Sequence, residues 1–149
     1  MNWTYDPTDY TEQDFAPIPE GDYRVRIAEV KERTFNSGNE GFELTLEVNG
    51  FKSKLWHYLV LDPSDRKKTN QRLGTFFDSF GITDVDLSHY TKWVGKTGAV
   101  SVKHEEFNGK TQAKVKWLIA KRGQDKLPAW SSGISTAKPE YEVPDLPFD

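Results

Sequence analysis

The chain contains no cysteine and one methionine. Without thiols there are no disulfides, no thiolate metal ligands and no cysteine nucleophile, so a fold of 149 residues must rest on its own core. Long apolar runs are also missing. No stretch approaches the roughly 20 residues of a membrane-spanning helix, and the N-terminus lacks the basic-then-apolar pattern of a signal peptide. The expectation is a soluble, cytoplasmic protein with no membrane partner. Histidine is scarce: His57, His89 and His104 stand apart, with no spacing that gathers metal ligands. Gly95-Lys96-Thr97 looks like the end of a phosphate loop, but Tyr90 occupies the position of the required upstream glycine. There is no Gly-x-Ser-x-Gly elbow, and Asp84, Asp86, Glu105 and Glu106 fall in a loop and at a hairpin end. The chain is therefore expected not to be an enzyme and to take no metal or cofactor.

What is present is segregated charge. The net charge of −3 hides a basic body between two acidic arms. Residues 1–20 hold Asp6, Asp9, Glu12, Asp14 and Glu20 with no Lys or Arg, and residues 128–149 hold four carboxylates against Lys138. The middle, 21–127, carries nineteen basic and fourteen acidic residues. Acidic arms of this kind can compete with a polyanion for a basic surface.

Three segments follow. Residues 1–19 form an acidic arm containing Pro7, Pro17 and Pro19, with Trp3, Tyr5, Tyr10 and Phe15 as candidate pins onto the body. Residues 20–126 form the folded domain. Residues 127–149, with Pro128, Pro139, Pro144, Pro147 and Ser131-Ser132-Gly133, read as a disordered tail. Inside the domain the period is two. Tyr23, Val25 and Ile27 alternate with Arg24 and Arg26, and Phe42, Leu44, Leu46 and Val48 alternate with Glu43, Thr45 and Glu47. Asn49-Gly50 is the residue pair of a type I′ hairpin leading to a third strand, Phe51 to Val60, and Asn108-Gly109 joins Ala99–Phe107 to Lys110–Ile119 in the same way. Between the hairpins, Asp62-Pro63-Ser64-Asp65 offers a cap to a helix that presents Leu73, Phe76, Phe77 and Phe80 on one face and stops at Gly81. The order β-β-β-α-β-β, all-β with one helix, is that of a five-stranded OB-fold barrel. A mixed α+β sheet has the same order.

With apolar alternates inside, Phe51, Leu55 and Leu59 face the core, and so do Val115, Trp117 and Ile119. The outward set is then Arg24, Arg26, Lys52, Lys54, Trp56, Tyr58, Lys103, Lys114 and Lys116. Phe35, beside the Gly/Asn-rich loop 36–41, and Phe107, at the second hairpin, flank the same groove. Cations that track phosphates, interleaved with rings that stack bases, are the parts that hold a single nucleic-acid strand, each stack contributing roughly 1–3 kcal/mol. The plainer reading is solvated lysines guarding strand edges. A one-residue slip would put Trp56 and Tyr58 inside and His57 outside. Glu43 and Glu47 are placed to pair with Lys52 or Lys54 across the first hairpin.

At the far end, Asp145, Leu146, Pro147 and Phe148 set apolar residues beside acidic ones in a segment without a core, the composition of a short docking peptide for a basic-rimmed pocket. This tip resembles the acidic C-terminal tip of bacterial and phage single-stranded DNA-binding proteins, with Asp149 added where that family usually ends on Phe. More broadly the chain resembles phage-encoded single-stranded DNA-binding proteins that accompany recombination functions in phages of Gram-positive bacteria. The resemblance lies in Ile18-Pro19-Glu20-Gly21-Asp22-Tyr23-Arg24-Val25, Gly41–Asn49 running into Phe51–Tyr58, the Leu73–Gly81 helix end, Trp93-Val94-Gly95-Lys96 and the Asn108-Gly109 hairpin. It implies an OB-fold, sequence-tolerant single-stranded DNA binding, recruitment of replication or recombination partners by the tip, residence in a bacterial host's cytoplasm, and a possible homodimer. The alternative is a phage structural or carbohydrate-binding β-module that stacks Trp56 and Tyr58 on sugars or a neighbouring subunit.

Overall fold

The alternating segments become five antiparallel strands with one helix between the third and the fourth. In the computed structural model, residues 2–7 and 17–131 are described. The strands are β1 (Gly21–Thr34), β2 (Glu40–Val48), β3 (Lys54–Leu61), β4 (Thr97–Phe107) and β5 (Lys110–Leu118), and the helix is α1 (Arg66–Ser79). They form one sheet in the order β3-β2-β1-β4-β5. Its edge strands β3 and β5 come within 8 Å (Cα–Cα) of each other but form no ladder, so the sheet is curled and open rather than closed. Among the described residues no helix is long and apolar enough to cross a membrane.

The inner face collects Val25, Ile27, Leu44, Leu46, Val48, Leu55, Leu59, Val100 and Val102, all buried. Helix α1 starts in two steps. Asp62 Oδ1 accepts from Ser64 N at 2.9 Å to begin a 3-10 turn, and Asp65 Oδ1 accepts from Lys68 N at 3.1 Å to cap the α-helix proper. It ends where Gly81 takes φ 64° and Ile82 N donates back to Phe77 O at 2.8 Å. The helix docks by laying Phe80 against Gly98 of β4, where a β-carbon would meet the ring at 2.8 Å. Glycine is required there for close approach.

Between helix and sheet sits Trp93, 1% exposed, at the end of a 3-10 segment, Leu87–Trp93. Its ring lies 5.0 Å from Phe76, 5.1 Å from Phe42, 6.0 Å from Phe77 and 6.4 Å from Tyr90, all edge-on. Edge-on pairs of this kind contribute about 0.5–1.5 kcal/mol each beyond burial. One indole thus ties α1, β2 and the 87–93 segment together.

Several expectations are corrected. Asn49-Gly50 is not a type I′ pair: Gly50 has φ 91° but Asn49 does not share the positive region, and Phe51 N closes the turn on Val48 O at 3.0 Å. The third strand therefore begins at Lys54 rather than Phe51, leaving Lys52 in the bend before it. Phe51 is 36% exposed and packs edge-on against Tyr23 at 5.3 Å instead of entering the core. Asn108-Gly109 does adopt the expected pair, with φ 54° and 78°. Trp117 was expected inside and is 55% exposed. The cause is a β-bulge: Ser101 pairs with Trp117 and Val102 with Val115, so Lys116 is the extra residue and Trp117 swings outward. In the N-terminal arm, Trp3 and Tyr5 are 84% and 68% exposed and do not pin it. Ile18 does, buried against the core, while His104 Nε2–H donates to Ile18 O and His104 N donates to Glu20 Oε2, each at 2.8 Å. Tyr10, Phe15 and the tip residues Asp145, Leu146, Pro147 and Phe148 lie outside the described residues.

Replacing Trp93 by Ala should lower unfolding free energy by about 3–5 kcal/mol, read as a shift in the urea midpoint. Trp93→Phe, which keeps most ring contacts, should lose much less.

Candidate nucleic-acid interface

The pairing registers place each candidate side chain. Directly opposed residues share a face, and the row Lys54–Glu47–Arg26–Thr97 runs across four strands on the outer face. Trp56 opposes Thr45 and Tyr58 opposes Glu43 on that same face, while Leu55 and Leu59 point inward. Trp56 is 51% exposed and Tyr58 44%, so the outward assignment holds and the slipped register is ruled out. The glutamates pair on the other side from the one expected. Glu47 holds Arg26 at 2.8 Å and Glu43 holds Arg33 at 2.9 Å, both across the β1–β2 ladder.

Arg33 is a residue that sequence reasoning missed. A second bulge, between Ile27 and Glu29, inverts the alternation of β1 and turns Glu29, Lys31 and Arg33 outward. The Arg33 guanidinium then lies 5.1 Å over Phe35 and 5.2 Å over Tyr58, whose rings meet edge-on at 6.0 Å. Tyr58 is thereby braced from two sides by cation–π and ring contacts. Phe35, expected to flank the groove, lies against Tyr58 and under Arg33 as a brace.

Arg24 and Arg26 are engaged by the chain's own C-terminal segment. Arg24 donates to Pro128 O at 2.8 Å, to Gln124 O and Gln124 Oε1 at 3.1 Å, and to Leu127 O at 3.5 Å. Gln124, 5% exposed, donates in turn to Ser79 O and Ile119 O at 2.9 Å. Trp130 covers Arg26 at 4.9 Å, and the Asn49 side chain donates to Ala129 O at 3.2 Å and accepts from Ser131 N at 3.1 Å. Residues 124–131 therefore lie as a strap over β1, and the side-chain work of Asn49 sits with this strap.

On the other half of the sheet, Lys103 and Lys114 are paired directly, an unfavourable like-charge contact relieved by Glu105, which holds Lys103 at 2.7 Å. That lysine keeps the Glu105 carboxyl below its ordinary pKa. Lys116 lies 4.4 Å over the Trp117 ring. Phe107 is 64% exposed at the hairpin tip, six residues along β4 from the Ser101–Trp117 pair, or roughly 20 Å away. The rings that do converge are Tyr58 and Trp117, which border one groove where β3, β5 and α1 meet.

His57, between Leu55 and Leu59, is half-buried beside that groove. Burial, helped by Arg72, pushes its pKa down to about 4, so the imidazole is neutral at pH 7. The isolated His89 is in fact bound to Asp84 Oδ2 at 2.8 Å, a hydrogen bond that lowers the Asp84 pKa. No group of His, Asp and Glu among the described residues is placed to hold a metal ion.

A family described as protein of unknown function (DUF669) matches residues 3–125. The chain belongs to that DUF669 family. The match spans the acidic N-terminal segment, all five strands and the helix, and ends before strap residues 127–131. No curated protein matches this DUF669 member.

Two outcomes follow for stability. Arg24→Ala would leave the carbonyls of Leu127 and Pro128 without their Arg24 donor, while Gln124 O keeps Leu127 N–H, costing about 1–3 kcal/mol and raising the rate of limited proteolysis between residues 124 and 131. Lysine should not rescue it, since one ammonium cannot reproduce the fork. For His57 the folded pKa lies below the unfolded value of about 6.5, so the unfolded chain takes up the proton first. Its stabilising contribution is complete above about pH 6.5 and is lost as pH falls towards 4. Melting temperatures between pH 7 and 4.5 should fall more steeply for the wild type than for His57→Gln.

Proposed function

We propose that this DUF669 member is a non-enzymatic single-stranded DNA-binding protein, built on an OB-like barrel and belonging to phage replication or recombination in the bacterial cytoplasm. The strand order β3-β2-β1-β4-β5, the helix between β3 and β4, and the approach of β3 to β5 support the barrel reading. The observation that carries the function is the set of half-exposed rings, Trp56 and Tyr58 on β3 and Trp117 on β5, on a sheet whose inner face is filled by aliphatic residues. Flat rings held in water beside lysines are stacking platforms for unpaired bases, and a duplex hides its base faces.

Trp56, Tyr58 and Trp117 stack bases. Lys52, Lys54, Lys103, Lys114 and Lys116 neutralise phosphates, Arg33 and Phe35 hold Tyr58 in place, and Phe107 reaches the strand farther along the second hairpin. Arg24 and Arg26 hold the strap and meet DNA only where the strand displaces it. Asp145, Leu146, Pro147 and Phe148 form the docking peptide for a replication or recombination partner.

Titrating the full chain with oligo-dT should quench tryptophan fluorescence. With about four phosphates neutralised, log affinity should fall against log salt at a slope near −3, and duplex of the same length should compete poorly. A slope near zero without quenching ends this reading. Salt-insensitive binding to oligosaccharides would instead place the same rings in a sugar-binding module.

A further inference from the structure

Grooves among the described residues differ in charge, and three of them show the contrast. Two lie around Glu40 and Leu61 and include carboxylates, Asp62 in one and Glu32 in the other. The third, about 490 Å3, lies between β3, β5 and the outer face of α1 and has no carboxylate in its lining. Its walls are Tyr58 and Trp117, its cations are Lys68 and Arg72, and Gln71 and Thr75 add polar groups from the helix. The volume lies within the roughly 300–1,000 Å3 of small-molecule sites.

Helix α1 supplies the cations of this groove from its first two turns. Arg66, Lys67 and Lys68 occupy the first helical turn, which has no acidic residue inside the helix to offset them. Asp65 caps that end, and Lys68 reaches the groove lining from the same turn. Lys68 and Arg72 are four residues apart and share one face.

We infer that this groove takes a nucleotide of the bound single strand, the base stacking between Trp117 and Tyr58 and the flanking phosphates held by Lys68 and Arg72. The inference rests on the function proposed above and extends the nucleic-acid path off the sheet onto α1. It commits to a nucleic-acid occupant because two flat rings, two cations and no carboxylate are complementary to a base with its phosphates.

The test measures anisotropy of labelled oligo-dT with the full chain, Trp117→Ala, Trp117→Phe, the pair K68E/R72E, and K92E/K96E as a control with the same charge change away from the groove. Losing one stack should weaken binding roughly tenfold in Trp117→Ala. Trp117→Phe should stay within about threefold of wild type, since phenylalanine still stacks. K68E/R72E should lose at least about tenfold relative to K92E/K96E. Irradiating a complex with 5-iododeoxyuridine-substituted oligo-dT should cross-link Trp117 or Tyr58, read by mass spectrometry. Should Trp117→Ala fail to fold, the cross-link decides in its place, and labelling of neither residue overturns the inference. It is also overturned if K68E/R72E binds like the control or if folded Trp117→Ala binds like wild type. No binding by the wild type removes the proposed function as well, whereas wild-type binding unaffected by these variants removes only the groove.

Discussion

Everything in this fold is positioned by the packing of one indole. Trp93 fills the space between helix and sheet, and its edge-on contacts with Phe42, Phe76, Phe77 and Tyr90 come from three separate parts of the chain. A sheet whose edges do not hydrogen-bond to each other needs such a plug, because curvature is otherwise held only by the twist of its ladders. The plug carries a small penalty of its own. Trp93 Nε1 is buried without a partner, a defect that ring packing on this scale outweighs.

With the inside filled, the outer face divides in two. The β1 half is covered by the strap, which draws Arg24, Arg26 and Asn49 into internal bonds. The half made by β3 and β5 keeps its rings in solvent. The division follows from geometry: a guanidinium with several donors satisfies several carbonyls at once, whereas a lone ammonium beside a ring does not fix a chain segment. The residues that anchor best are therefore not the ones available to a ligand.

Strand existence, the succession of elements along the chain, the helix and the outward placing of Trp56 and Tyr58 were legible because period two and period 3.6 are local signals. Phe76 and Phe80 announced the buried helix face, and Gly81 its end. What was illegible depends on pairing between distant residues. Nothing near Lys116 states that it is an unpaired extra residue, and nothing near Ala28 states that β1 changes its facing there. Trp117 and Arg33 were misassigned or missed for that reason. Asn49-Gly50 misled because only Gly50 takes the positive φ while the asparagine amide bonds the distant strap, and Trp93, named only within a resemblance, is the centre of the core.

The β5 bulge has a wider consequence. Ala113, Val115 and Trp117 are a flawless every-other-residue series, yet only the first two pack against the interior. Parity of spacing therefore does not transfer along this strand. Loss of the extra residue at 116 would restore plain alternation, with Val115 still inside and Trp117 still facing water. Alignments that compare such strands by composition alone will equate positions with opposite fates.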